Sequence, residues 1–194
     1  LPDRRAGGRG LDLGTVTAER AIRLTACTEA EQVVGADISL SMMERGRCKS
    51  AGKNIRFTQA DALTLPFPDA CFDAVVSGFV MRNLPSQSQA LQEQVRILKP
   101  EGEIVFLDVI SPRHSRLPKL YGFFLFRIVP LLGRMLTGSK FAYSYLPSST
   151  LDYPSPFALL QTMQEQGLAD AIFTAHSLGT VSIHVGTKAP RTEY

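Results

Sequence analysis

Apolar residues in this chain come in short runs, each closed by a turn residue or a polar side chain, with helically spaced apolar positions between them. Arg9-Gly10-Leu11-Asp12-Leu13-Gly14 predicts a buried strand entering a tight turn. Gln32 to Asp37, Asn54 to Thr58, Phe72 to Ser77 and Glu103 to Asp108 predict four more strands. Ala171 to His176 and Thr180 to Gly186 predict a sixth and a seventh, joined by a hairpin turn at Ser177-Leu178-Gly179. Helical spacing appears at residues 17–27 (Ala18, Ala21, Ile22, Leu24), from Leu40 to Ala51 with Ser39 as cap, and from Gln87 to Leu98 with Ser86 as cap. The last of these ends at Lys99-Pro100-Glu101-Gly102, where Pro disfavours a helical residue before it and Gly102 permits a reversal. Strands that are apolar almost throughout and alternate with helices predict an α/β fold, a parallel sheet with helices on both faces. The short turn between the last two strands makes that pair antiparallel.

Length and composition narrow the picture. The 194 residues suit a single domain, and 44% hydrophobic with 20% charged residues is too apolar for a disordered chain. Three cysteines (Cys27, Cys48, Cys71) without CxxC spacing point to reduced thiols rather than a disulfide framework or a zinc site. The first twenty residues hold no apolar run, so no signal peptide is expected and a cytoplasmic location is. The net charge of +3 is small but unevenly placed. From Val109 to Leu151 there is no Asp or Glu, while Arg113, Arg116, Lys119, Arg127, Arg134 and Lys140 are all basic. Within that stretch Leu117 to Leu132 is strongly apolar, yet Lys119, Arg127 and Pro130 interrupt it, and spanning a bilayer needs ~20 mostly apolar residues. Two readings stay open: a core helix whose basic side chains reach water, or a membrane-surface or greasy-substrate contact. The basic excess is too diffuse, and too poor in interleaved aromatics, for nucleic-acid binding.

In an open parallel sheet, ligands bind at the carboxyl ends of the strands, where the strand order reverses. This selects Asp12-Leu13-Gly14-Thr15-Val16-Thr17-Ala18 after the first strand, Asp37 at the end of the second and Gln59-Ala60-Asp61-Ala62 after the third. A carboxylate at Asp37, following a glycine-containing first turn, can accept both hydroxyls of a ribose. Singly, Asp37 reads as well as a helix cap and Asp61 as a turn carboxylate; together they favour a nucleoside site. The turn lacks G-x-G-x-x-G, which argues against a dinucleotide. His114, His176 and His184 have no Asp, Glu or Cys at metal-ligand spacing, so they read as structural or surface residues and no metal is expected.

These residues resemble a class I S-adenosylmethionine-dependent methyltransferase. More narrowly, the chain is similar to the ubiquinone/menaquinone-biosynthesis C-methyltransferases, the UbiE/MenG family, from about Gly10 to Lys188. The resemblance rests on Leu11-Asp12-Leu13-Gly14, Gly35-Ala36-Asp37-Ile38-Ser39 with Met42-Met43, Asp61-Ala62 with Leu65-Pro66-Phe67, Phe72-Asp73, and Arg96 to Gly102. Arg82-Asn83-Leu84, Tyr143-Ser144-Tyr145-Leu146-Pro147 and Gly179 to His184 complete it; of these, Arg82-Asn83 and the Tyr-x-Tyr-Leu segment are the narrower markers. It implies a Rossmann-like seven-stranded sheet of order 3-2-1-4-5-7-6 with strand 7 antiparallel. It also implies one methyltransferase domain over 1–194 carrying a basic, apolar helical insert at about 111–150.

The resemblance further implies S-adenosyl-L-methionine as cofactor and C-methylation of a demethylated prenyl-quinol, demethylmenaquinol foremost. Asp12, Gly14 and Thr17 would line its methionine part, Asp37 its ribose, Asp61 and Ala62 its adenine, and Gly78 the methyl-donor side. Arg82 and Asn83 would orient the quinol ring and steady its ionising hydroxyl, with Tyr143 and Phe79 as substrate wall and Tyr145 or a held water as base. A polyprenyl tail gives the apolar 117–136 stretch a second role as a peripheral membrane contact at the inner face, and a homo-oligomer is compatible with the family.

The chain departs from the pattern twice. Val16 and Ala18 stand where the family prefers glycine, so only Gly14 of a G-x-G-x-G turn remains, and a β-branched residue forced to positive φ costs ~1–3 kcal/mol. The first strand also begins within about ten residues of Leu1, where the family has some forty preceding residues, so an N-terminally truncated member with weakened cofactor binding is expected. Two alternatives follow: a methyltransferase for another small or lipid-like acceptor, and a non-catalytic, membrane-associated homologue.

Overall fold

A computed structural model of the chain describes residues 8–27, 30–115, 117–129, 150 and 153–190. Seven strands form one sheet: β1 (Arg9–Leu13), β2 (Gln32–Asp37), β3 (Ile55–Gln59), β4 (Phe72–Gly78), β5 (Leu98–Val109), β6 (Leu168–His176) and β7 (Val181–Lys188). Their order is β3-β2-β1-β4-β5-β7-β6, parallel from β3 to β5 and antiparallel from β5 through β7 to β6. Successive side chains of a strand face opposite sides of the sheet. Val33 accordingly packs with Ala18 and Ala21 in one cluster, while Val34 joins the larger one with Leu11, Leu13, Val75, Ala90 and Leu91. Both faces of the central strands are thus covered, which is why they read as unbroken apolar runs.

The described helices are α1 (Glu19–Cys27), α2 (Leu40–Lys49), α3 (Gln87–Ile97), α4 (Pro118–Phe123) and α5 (Pro156–Glu165). Ser86 caps α3 as expected, its hydroxyl accepting from the Gln89 N–H at 3.2 Å. Ser39 precedes α2 but makes no side-chain cap; its own N–H donates to Asp37 Oδ1 at 2.9 Å, so the carboxylate before it orders this entry. After α3 the residue at positive φ is Glu101 (61°), not Gly102. Gly102 is needed for closeness instead, since a Cβ there would meet the Lys99 carbonyl at 2.8 Å. β5 therefore begins at Leu98, five residues before the expected start, and its pairing with β4 shifts between Phe72 and Ala74.

Helix α5 was not predicted. Ser155 caps it, accepting from Ala158 N–H at 3.1 Å, with Pro156 in the first turn, and buried Leu159 and Met163 face the sheet. Met163 Cε lies 3.1 Å from where a Cβ on Gly186 would stand. His184 on β7 ties the start of this helix down: its Nε2 donates to the Pro156 carbonyl at 3.0 Å and its ring stacks on Phe173. Burial holds the imidazole pKa below its ordinary value, with the hydrogen bond to Pro156 opposing.

Strand register positions the site. Leu13 pairs with Ala36 on one side and Ser77 on the other, and Gly78 pairs with Leu107. The carboxyl ends of β2, β1, β4 and β5 therefore stand in one row. Between β1 and β4 the connections leave in opposite directions, which opens a crevice at that row.

Candidate cofactor and acceptor site

The turn after β1 is built from within. Asp12 is fully buried and its carboxylate accepts from Thr15 Oγ1 at 2.7 Å, Arg20 Nε at 2.9 Å and the Ala21 N–H at 3.1 Å. Burial pushes this carboxyl above the usual range, more strongly than the Arg20 charge and the three hydrogen bonds lower it. Asp12 thus shapes the turn and presents no surface to a ligand. Gly14 and Thr15 both donate to the Ala36 carbonyl, at 2.8 and 3.0 Å. Gly14 has φ 66°, and a Cβ there would collide with Val80 Cγ2, so glycine is required on two counts.

Val16 and Ala18 lie at φ 51° and 68°. The turn keeps a glycine-type backbone with two side chains that disfavour it. Val16 is 42% exposed and gains little packing in return, whereas the Ala18 methyl is wholly buried against α2 near Gly46. Val16→Gly should therefore stabilise the fold by about 1 kcal/mol, the relieved strain less the added chain entropy. That corresponds to a rise in Tm of roughly 2–4 °C. Ala18→Gly should gain less because it also removes a packed methyl. A fall in Tm for Val16→Gly in thermal unfolding would show the turn to be unstrained.

Asp37 closes β2 at the crevice, half-buried, one oxygen accepting the Val16 N–H and the other the Ser39 N–H, both at 2.9 Å. A carboxylate has about four acceptor positions, so two remain while the group itself is held still. Thr17 donates its hydroxyl to Glu19. Asp61 is exposed and accepts from Leu63 N–H at 2.9 Å, a turn carboxylate with one oxygen uncommitted to that bond, while Ala62 is buried in the core. A groove of about 470 Å³ lies between this loop and α3, lined by Leu63, Thr64, Gln89 and Arg96 among others, and shares no residue with the crevice.

The segment after β4 carries the acceptor-side candidates. Phe79 takes φ 61° and is 41% exposed at the crevice mouth. Asn83 is exposed and clamps that turn, its side-chain N–H donating to the Phe79 carbonyl at 3.0 Å. Arg82 turns inward: its side chain is only 6% exposed and its Nη1 meets Asp108 Oδ1 at 2.6 Å. Its own N–H reaches Asp108 Oδ2 at 3.2 Å, and its guanidinium lies over the Phe79 ring. Burial raises the Asp108 carboxyl above its usual range, with the Arg82 charge opposing. Arg82 Nε, Ser111 Oγ, Thr150 Oγ1 and the Tyr153 hydroxyl are buried without hydrogen-bond partners among the described residues. Burial, with Asp108 adding to it and Arg82 opposing, raises the Tyr153 phenol pKa. The sequence reading did not anticipate Asp108, Tyr153 or Arg20. Tyr143 and Tyr145 lie outside the described residues. Among the described residues no group of three His, Cys, Asp or Glu side chains could hold a metal ion.

Three carbonyls, those of Leu13, Gly14 and Gly78, converge on the Arg20 guanidinium, and the Asp37 carboxylate closes the neighbouring strand. Main-chain acceptors turned toward a cation, and a carboxylate suited to hydroxyl donors, thus stand at the switch point of this sheet. The same fold occurs in the YcgJ protein of Bacillus subtilis (TM-score 0.70, 17% identity, covering 97% of this chain and 95% of that one). It recurs in Haemonchus contortus phosphoethanolamine N-methyltransferase 2 solved with S-adenosyl-L-methionine (TM-score 0.73, 14% identity, 97% and 50% covered). The ubiE/COQ5 methyltransferase family profile matches residues 2–188, and the chain belongs to that family of S-adenosylmethionine-dependent methyltransferases. Relatives include a demethylmenaquinone methyltransferase of Roseiflexus sp. strain RS-1, 38% identical over 93% of this chain and 76% of its own length. The Thermus thermophilus demethylmenaquinone methyltransferase is 37% identical over 95% of this chain and 84% of its own. The ubiquinone/menaquinone biosynthesis C-methyltransferase UbiE of Teredinibacter turnerae is 35% identical over 95% and 76%.

Proposed function

We propose that this chain methylates a ring carbon of a demethylated prenyl-quinol, demethylmenaquinol foremost, in quinone biosynthesis. The observation that carries the reading is the buried pair of Arg82, in the turn that follows β4, with Asp108, near the end of β5, next to the strand end that presents the Gly78 carbonyl. S-Adenosylmethionine supplies an electrophilic methyl group on a sulfonium. The ring carbon attacks best when a neighbouring hydroxyl has lost its proton, so the chain's task is to favour a phenolate. Arg82, held by Asp108 in a water-poor setting, suits that role because preorganised donors act most strongly where negative charge develops. Asn83 fixes the Phe79 turn and offers a second amide N–H; Phe79 and Tyr143 serve as ring wall, and Tyr145 or a water as base for the hydroxyl and ring-carbon protons. Asp37 takes the ribose hydroxyls, Gly14 and Thr17 border the methionine part, Gly78 the methyl-donor side, and the Asp61-Ala62 loop the adenine. Positioning of two bound reactants supplies much of the remaining rate.

A peripheral membrane contact accompanies this reading. No helix of the described residues is long and apolar enough to cross a membrane. On α4 and the wider turns that follow it, Leu120 is 63% and Phe123 59% exposed beside Lys119 and Arg127, a composition suited to an anionic bilayer surface holding a long-tailed quinol. The test is transfer of a labelled methyl group to long-tailed demethylated quinols in vesicles of phosphatidylglycerol and phosphatidylcholine. Label on the ring carbon, with turnover and vesicle binding reduced tenfold or more in Arg113→Glu/Lys119→Glu, is expected, since each basic residue near such a surface contributes ~1 kcal/mol. Label on no quinol would refute the acceptor, and unchanged vesicle binding would refute the membrane contact.

A further inference from the structure

Arg20 reaches from α1 to the ends of β1 and β4. Its Nε donates to buried Asp12, its Nη1 to the Gly78 carbonyl at 3.2 Å, and its Nη2 to the Leu13 carbonyl at 3.4 Å and, closely, to that of Gly14. It fits tightly: a Cβ on Gly78 would meet Nη1 at 2.9 Å. Four of the five guanidinium N–H groups are thereby engaged, three of them with carbonyls at the ends of β1 and β4. Carbonyls gathered at one point accept a cation, and the methionine end of S-adenosylmethionine carries an ammonium and a sulfonium against one carboxylate; S-adenosylhomocysteine keeps the ammonium and the carboxylate, and the ammonium is the group the carbonyls suit. We propose that Arg20 is a built-in competitor of the cofactor: its guanidinium fills the carbonyl cradle that would otherwise take the cofactor's cationic end, and so sets cofactor affinity. The inference rests on reading the crevice as an adenosyl site.

Asp12 keeps Arg20 in place. The carboxylate is buried and has its charge balanced by that one guanidinium, so the side chain is anchored at Nε while its Nη atoms project to the strand ends. A ligand that has an adenosyl group but lacks an ammonium has no claim on the cradle and does not have to displace the guanidinium. Arg20 therefore discriminates by the charge at the methionine end and leaves adenosine recognition alone.

The experiment is calorimetric titration of S-adenosylhomocysteine and 5′-methylthioadenosine into the wild type, Arg20→Gln, and the double variant Arg20→Leu/Asp12→Asn, which leaves no buried charge unpaired if the single variant is unstable. The proposal expects S-adenosylhomocysteine to bind at least tenfold more tightly to the variants, with the 5′-methylthioadenosine affinity changed less than twofold. Equal or weaker binding of S-adenosylhomocysteine, with 5′-methylthioadenosine still bound, would overturn the role of Arg20 and leave the adenosyl site standing. Binding of neither ligand to any form would overturn the adenosyl site, and the role of Arg20 with it.

Discussion

Arg82→Met should lower turnover ~10²–10³-fold, the usual cost of losing one donor at a developing anion, while leaving the affinity for S-adenosylhomocysteine within about threefold. On the proposed reading the guanidinium serves the acceptor side: it is fixed by Asp108, lies over the Phe79 ring and, among the described residues, makes no hydrogen bond to the turn after β1. The substitution also leaves Asp108 buried without its counter-charge, and breaking such a pair costs about 3–5 kcal/mol, on the order of 10 °C in Tm. That loss has a signature in pH. The folded pKa of Asp108 is already raised above the ordinary carboxyl value, and removing Arg82 raises it further. A carboxyl raised on folding imposes a penalty at pH above its folded pKa, and the penalty is relieved as pH falls through that value. The stability gap between wild type and Arg82→Met should therefore be widest near neutrality and shrink on acidification. Asp108→Asn provides the complementary case: it keeps a hydrogen-bond acceptor but leaves the buried Arg82 guanidinium without its counter-charge, and should lose both turnover and stability. Arg82→Met with full turnover would reduce the pair to a structural brace.

How much of this was legible beforehand follows the range of each interaction. The central strands were, because burial on both faces leaves continuous apolar runs such as Gln32 to Asp37, where reading and structure coincide. Strand order could not come from periodicity; it came with the family resemblance, and the sheet has that order. The start of β5 was missed because Lys99-Pro100-Glu101-Gly102 reads as a turn, and the sharp bend is there, with Glu101 in the left-handed role and pairing continuing around it. Helix α5 was missed although Ser155-Pro156 followed by Leu159 and Met163 is a start signal with helical spacing; the prolines at 154 and 156 obscured it.

At the site, Asp37 was legible because its place depends on a local feature, the end of one strand a fixed distance after the first turn. The positive φ of Val16 and Ala18 was expected from the family resemblance, which places glycine at both positions. Arg82 could be singled out, but its pairing with Asp108 could not: the two are 26 positions apart and meet because β4 and β5 are neighbours with Gly78 opposite Leu107. Arg20 gave no signal, since an arginine in the first turn of an amphipathic helix ordinarily faces water. Only the buried Asp12 turns it toward the strand ends.

On the proposed reading the crevice is an adenosyl site and Asp37 its ribose acceptor. Two hydrogen bonds to an ionised acceptor are worth roughly 1.5–3 kcal/mol each, so Asp37→Ala should weaken S-adenosylhomocysteine binding by at least tenfold and more if both hydroxyls are held. Part of the effect runs through the Val16 N–H, which loses its acceptor. Asp37→Asn preserves an oxygen for that contact, and it separates loosening of the turn from loss of the carboxylate. The most direct measurement is calorimetric titration of S-adenosylhomocysteine into the wild type and Asp37→Ala, with folding of both checked by thermal unfolding. The account predicts saturable one-to-one binding to the wild type and a dissociation constant at least tenfold higher in the variant; equal affinity in two folded proteins would contradict it.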